Sequence, residues 1–447
     1  MVLLLLTPPA LAQALVSAGE LPRVQGLFES RPGAGPLPCE VTPLPPSLNF
    51  ALRYRAGYTF HVPQSQSQGS TRGWSVLTAI TPEGGAATYL FARTPLSSAT
   101  RVDASFDVGG LYFLGTGRYS VEAAIRDDRN RVCRKQWQIV VGSSRADRAV
   151  PLVLPPQTVR PFTPIVSPDA QHQDHAAPMR LSILLNAAAF STVRTNIRPY
   201  DRAVLLGALT ALLEHLPAES VRLVVFSLEQ QREVYRSEHF APAGMNQAAD
   251  AIRSLQQATV DVRVLQKPLG HIDFLAGLIG RERGAPNPAD TIVFLGPTSR
   301  YGNKIPESAL PAPSEAGTRF FYVRYESPRH PYRAPGIPGI LSADTGPSGG
   351  TAGSATPDIT PAESAAASRL PSSAGNGGSS SGRGHPSSPP PASPLPPLEG
   401  QTDIISAAVA RFKGKTLTIQ RPADLAKAIR KIEQKTVEPP MNADKRR

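Results

Sequence analysis

Apolar and polar positions change rhythm twice along this chain. Between Cys39 and about Val141 they alternate with a period of two, the rhythm of a half-buried strand. Residues 48–54, 58–62, 74–80, 87–92, 101–106, 119–126 and 136–141 carry the pattern, with Gly, Pro, Asn and Asp turns between them. Short strands at this spacing predict an all-β, immunoglobulin-like sandwich over 38–142. Residues 15–37 read as an exposed lead-in. Residues 143–178 hold Pro151, Pro155, Pro156, Pro161, Pro164 and Pro168 without a helical period, so they read as a linker.

At residue 179 the rhythm changes again. The run MRLSILLN, 179–186, reads as a central strand. Residues 201–216 predict a helix: Val204, Leu205, Ala208, Leu209, Leu212 and Leu216 form one broad apolar stripe, and Asp201 sits at the favourable end. Residues 221–228 are a continuous apolar strand, suited to a sheet covered on both faces. The alternating, polar 232–237 suits an edge. Helices over 245–257 and 272–283 and strands over 291–295 and 320–325 follow. Residues 327–401 are rich in Pro, Gly, Ser and Ala, too poor in apolar side chains to fold, and predict a disordered insertion. Regular structure resumes with a helix over 403–412, a strand over 416–420 and a helix over 422–435, which has Pro422 and Asp424 in its first turn. The expected fold of 179–326 with 402–435 is an α/β Rossmann-like open sheet, followed by a basic tail, 436–447.

Composition narrows the function classes. The 447 residues include 47 Pro and 36 Gly, concentrated in the linkers, so the folded part is smaller than the chain. The net charge of +12 raises nucleic acid as a partner. No run of five basic residues occurs, and the aromatics, 6% of the chain, are not interleaved with Arg and Lys; the expectation is no nucleic acid. The apolar run at 2–6 and the small-residue sites Ala10-Leu11-Ala12 and Ala12-Gln13-Ala14 resemble the end of a signal peptide over 1–14. A secreted or periplasmic location follows as an expectation. No stretch approaches the ~20 apolar residues of an integral membrane span. Cys39 and Cys133 are the two cysteines, and export suggests that they pair. Such a disulfide closes a loop of about 95 residues, for which chain entropy gives at most about 4–5 kcal/mol. His172, Asp174 and His175 lie in the linker without supporting neighbours and are not expected to hold a metal.

The element order after residue 179 resembles a von Willebrand factor type A domain. With the signal-like start and the β-rich part carrying Cys39 and Cys133, the chain resembles the large secreted A-domain-related families of soil bacteria such as the Acidobacteria. That resemblance implies a metal-ion-dependent adhesion site. There, Asp-x-Ser-x-Ser follows the first strand, a Thr comes from a central loop and an Asp follows the fourth strand, together giving a hard divalent cation its oxygen ligands. This chain has Asn186, Ala188 and Phe190 at the first three positions, His271 at the Thr position and Gly296 or Pro297 at the last. The site is degenerate, with Asn186 expected to be a turn-stabilising amide and His271 a helix-start residue. Ser191, Thr192 and Asp273 are poor substitutes. No G-x-S-x-G elbow, phosphate loop or H-E-x-x-H occurs, and Gly277-Leu278-Ile279-Gly280 lies inside a helical pattern rather than a nucleotide fingerprint. The expected function is an exported, non-enzymatic protein without cofactor or metal. It would bind an unknown protein partner or play a structural part in the cell envelope. Two other readings stay open. One is a carbohydrate-binding β domain using Trp74, Tyr112, Tyr119 and Trp137. The other is a hydrolase assembled from His271, Asp273 and Ser191.

Overall fold

The computed structural model of the chain describes residues 13–29, 35–67, 73–94, 105–142, 144, 147, 149–168, 178–190, 197–255, 266–267, 269–301, 305–306, 310, 317–326 and 402–437. The expected disordered insertion, the His172–His175 cluster, Ser191, Thr192 and the C-terminal tail from 438 lie outside them.

The N-terminal half is a two-sheet sandwich. Its first sheet runs β1 (Ala14–Leu15), β5 (Thr88–Thr94), β4 (Trp74–Pro82), β7 (Gly117–Arg126), β8 (Val132–Val141). Its second runs β2 (Glu40–Leu48), β3 (Tyr54–Pro63), β6 (Ser105–Leu114), β9 (Val159–Pro161). The pairings in both are antiparallel. The alternation seen in sequence places Tyr58, Phe60, Trp74, Val76, Ile80, Tyr112, Val121 and Ile125 in one core between the sheets. Cys39 at the head of β2 is bonded to Cys133 on β8, tying one sheet to the other.

The remaining elements build a six-stranded mixed sheet in the order β12 (Arg232–Ser237), β11 (Ala218–Ser227), β10 (Met179–Asn186), β13 (Thr291–Pro297), β15 (Arg319–Tyr325), β17 (Lys415–Ile419). Five strands run parallel and β12 is antiparallel at the edge. Helices α2 (Pro199–His215), α3 (Met245–Arg253) and α6 (Pro422–Val437) share one core with the sheet. Helices α4 (Gly270–Arg283) and α5 (Ile404–Arg411) share the other. A short α1 (Leu21–Gly26) and a two-stranded ladder of β14 (Arg300–Tyr301) and β16 (Thr402–Asp403) complete the order.

Three expectations are corrected. The chain is mostly β, 41% strand against 26% helix, with two antiparallel sheets forming a β sandwich, so the α/β Rossmann-like class does not describe it. The strand content was underread because prolines hid strands. Pro43, Pro45 and Pro46 lie in β2, which is an edge strand, where a missing amide costs no central ladder bond. Second, the described part of the stretch read as a linker, 149–168, is tied into the fold: β9 pairs with β6, and Val150 and Leu154 are buried. Third, the alternating stretch 48–54 is not one strand: Leu48 ends β2, Tyr54 begins β3, and 49–53 is the turn between them. Asn49 Oδ1 accepts from the Arg53 amide at 3.0 Å, and Leu52 adopts a φ of 53°.

That turn joins the two halves, which form one compact unit. Phe50 and Leu52 enter the core of the mixed sheet beside Val204, Leu205 and Ala208 of α2. Arg53 makes a two-pronged ion pair with Glu214 of α2, at 2.6 and 3.1 Å, with both side chains 5% exposed or less. A β-carbon added at Gly207 would lie 3.1 Å from the Ala51 amide nitrogen, so α2 approaches the turn this closely because position 207 has no side chain. Helix α2 is apolar nearly all round, with Leu205, Leu206, Leu209, Ala211 and Leu212 all buried, as expected for a helix covered on both sides.

The N-terminal strand is also tied in. Gln13 is 2% exposed and donates to Tyr58 Oη at 2.8 Å and to Thr78 Oγ1 at 3.0 Å. Of the segment read as a signal peptide, 1–14, Gln13 is therefore buried in the sandwich and Ala14 pairs with Phe91 of β5.

Two outcomes follow from these contacts. Arg53→Ala takes the guanidinium away from the buried Glu214 carboxylate and is expected to cost about 3–5 kcal/mol in chemical denaturation, while Arg53→Met with Glu214→Leu recovers most of it. Equal stability of the single and double variants contradicts this. A chain starting at Gln13 is expected to match the full chain in thermal unfolding. One starting at Leu15 loses the two Gln13 bonds, about 1–2 kcal/mol, and identical midpoints would rule that out.

Candidate functional site

The carboxyl ends of β10, β11 and β13 form the rim where an adhesion-type metal site would stand. Asn186 ends β10 and is 1% exposed. Its Nδ2 donates to Ser299 Oγ at 2.8 Å, and its Oδ1 accepts from the Leu228 amide at 3.4 Å. The side chain is thus a strut between the ends of three strands, broader than the turn-stabilising amide expected. Ala187 and Ala188 behind it are buried. Gly296 packs against it so closely that an added β-carbon would lie 2.8 Å from the Asn186 carbonyl oxygen. An aspartate at 296 therefore has no room without moving β10. The Tyr322 hydroxyl donates to the Pro297 carbonyl, closing the next position along.

Phe190 stacks on Tyr325 with ring centroids 4.1 Å apart, and Phe50 of the sandwich meets the same Tyr325 edge-on at 5.6 Å. The Phe190 ring is therefore part of the contact between the halves of the molecule. Burial holds the Tyr325 hydroxyl far above its ordinary pKa.

His271 lies in the first turn of α4, as expected, and stacks on Tyr301 at 4.1 Å with planes 14° apart. It is 6% exposed, and its Nε2 has no hydrogen-bond partner among the described residues. Desolvation lowers its pKa below the ordinary 6.5, and the Asp273 charge opposes this only in part. Asp273 itself is exposed. The hydrolase reading looks for His271, Asp273 and Ser191 clustered in a cleft; His271 is buried and Asp273 exposed on the first turn of α4, and Ser191 lies outside the described residues. Among the described residues no group of three or more His, Cys, Asp or Glu side chains is placed to hold a metal.

The aromatic row proposed for glycan binding points inward. Trp74, Tyr112 and Tyr119 are 2% exposed or less, and Trp137 is half-buried against Tyr58, ring to ring at 5.5 Å. These side chains fill the sandwich core.

One constellation escaped the sequence reading. On the second sandwich sheet, Thr42 Oγ1 lies 3.1 Å from His61 Nε2, and His61 Nδ1 lies 2.7 Å from Asp107. Hydroxyl, imidazole and carboxylate in this order match a nucleophile relay. Here they are neighbours across β2, β3 and β6 of one antiparallel sheet. The arrangement reads as a cross-strand polar ladder. No local sequence signal could find it, because the three residues meet only through strand register.

No family model matches the chain, and no curated protein does. Among solved structures, a calcium-binding mutant of β-glucuronidase 2 from Bacteroides uniformis is similar over 65% of this chain at 10% identity and a TM-score of 0.15. The chain spans 37% of that structure's length. A likeness of this size carries no argument about fold or activity.

Two histidines give the molecule an acid limit. Desolvation, and next the neighbouring Arg53 charge, lower the pKa of His215 at the end of α2; desolvation does the same for His271. Both rings take up a proton less readily in the folded chain than in the unfolded one. The unfolded state binds more protons below about pH 6.5, so stability falls as pH drops through that value. The unfolding midpoint is expected to fall between pH 7 and pH 5, and His215→Gln with His271→Phe to flatten the fall. A pH profile unchanged by the pair of substitutions contradicts this.

Proposed function

We propose that this chain is a non-enzymatic structural or binding protein, exported to the periplasm or beyond, whose sandwich and mixed sheet act as one rigid body on a protein partner of the cell envelope. The observation that carries the reading is the Phe190–Tyr325–Phe50 stack. It places hydrocarbon where the resembling domains place a cation ligand, and it uses the rim to hold the sandwich. A Cys39–Cys133 disulfide fits an oxidising compartment. Among the described residues no helix is long and apolar enough to cross a membrane.

The carboxyl end of the mixed sheet is expected to bind no divalent cation. Calorimetric titration with Mg²⁺, Mn²⁺ and Ca²⁺ is expected to give no heat beyond dilution. The same holds for the triple variant Asn186→Asp, Ala188→Ser, Phe190→Ser, because Gly296 still leaves no room for the missing carboxylate. Micromolar binding by either protein would overturn the reading. Affinity capture from native envelope fractions is expected to recover a protein that binds the folded chain in stoichiometric amounts; recovery of none would remove the binding half of the proposal.

A further inference from the structure

At the opposite end of the mixed sheet, where β10 and β11 begin, the molecule has a cavity of about 1250 Å³. It is bordered by the starts of these strands, by the end of β12 and by the last two turns of α4. None of it belongs to the rim described above.

Two arginines organise it. Arg222 Nη1 and Arg236 Nη1 both donate to Glu282, at 3.1 and 2.8 Å. Glu282 is 1% exposed and also accepts from Ser182 Oγ at 2.8 Å. The two guanidinium groups are thus held from below by a fixed carboxylate. From the other side both reach a second carboxylate, Glu238, through Arg222 Nε and through Arg236 Nη1 at 3.0 Å. Glu238 differs from Glu282 in one respect: its side chain is 50% exposed. It can leave for water at little cost, whereas Glu282 cannot.

The helix wall is unusual in a second way. Gly277, Gly280 and Gly284 of α4 and its cap all line the cavity. Glycine is the poorest helix former after proline. Packing does not explain the first two, since a β-carbon at Gly280 would meet nothing within 4 Å, and one at Gly277 would meet only the tip of Arg281 at 3.7 Å. Alanine would fit at either and favour the helix. The glycines leave open space and bare backbone beside the arginines, the setting in which a ligand body can approach closely.

We propose that this cavity is a binding site for a small organic anion, a carboxylate or a phosphate monoester. Its charged head replaces Glu238 on Arg222 and Arg236, and its body lies along the glycine face of α4. The space is open to solvent and larger than such an occupant fills, so the arginines rather than the volume select the ligand. The arginine pair is ordered before the ligand arrives, so little side-chain freedom is lost on binding. Each guanidinium gives Glu238 one N–H, Arg222 Nε and Arg236 Nη1, and a carboxylate or phosphate head would take the same two donors, while Arg236 Nε and Nη2 stay on Glu233. Glu238 acts as the chain's own stand-in for the ligand and sets a threshold on its affinity.

The test is calorimetric titration of the full chain with benzoate and with phenyl phosphate, which share a body and differ in the head. Saturable binding of at least one is expected, and the tighter of the two names the head group preferred. Glu238→Gln removes the internal competitor's charge and is expected to tighten binding by about tenfold or more. Gly280→Leu fills the space without touching a charge. It is expected to weaken binding by about tenfold while leaving the unfolding midpoint unchanged or raised. The proposal is overturned if neither wild type nor Glu238→Gln binds either probe, if Glu238→Gln weakens binding, or if Gly280→Leu leaves it unchanged.

Discussion

Arg53 and Glu214 meet with almost no water around them, one from the turn that ends β2 and the other from the last turn of α2. Removing two charges from water is costly, and a buried pair repays that only with close, two-pronged geometry and further hydrogen bonds. Both conditions hold here, because Arg53 also donates to the Ala51 carbonyl at 3.1 Å. The pair therefore specifies one docking of the sandwich on α2 and penalises others. Around it the contact is hydrocarbon: Phe50, Leu52, the leucines of α2, and Val150 from the segment between the sheets. The ion pair sets the register of the contact and the apolar burial supplies its strength.

The same contact reaches the rim of the mixed sheet. Phe50 leans on Tyr325, and Tyr325 carries Phe190. A loop that follows a central parallel strand is a usual place for chemistry. In this chain Ala187, Ala188 and Phe190 of that loop are spent on internal packing, and Asn186 is spent on tying Ser299 and Leu228 together. The open, charged space lies at the other end of the strands, where Glu282 is enclosed and Glu238 is not.

The sequence made some of this legible and hid the rest for identifiable reasons. The strands 179–186, 221–228 and 291–295 could be read because apolar runs of that length between turn residues have few other uses. That Asn186, Ala188, Phe190, His271 and Gly296 bring no carboxylate or hydroxyl ligand could be read residue by residue. What Phe190 does instead was not, since Tyr325 and Phe50 come from far away in the chain. Strand β2 was hidden by its prolines, and the turn 49–53 was mistaken for a strand because Phe50 and Leu52 alternate with Asn49, Ala51 and Arg53. Those apolar side chains do face a core, but a different one from the sandwich's. The class was misjudged for the same reason, strands with weak local signals being undercounted. The arginine pair and the Thr42–His61–Asp107 ladder depend on strand register, which one sequence does not display.

Native-state hydrogen exchange against denaturant tests the central claim, that the sandwich and the mixed sheet are one cooperative body joined through α2. Amides of β3 and of β10 are expected to converge on a single opening free energy equal to that of global unfolding. Two separate opening energies, with β3 exchanging while β10 stays protected or the reverse, would show that the halves unfold independently and would contradict the account.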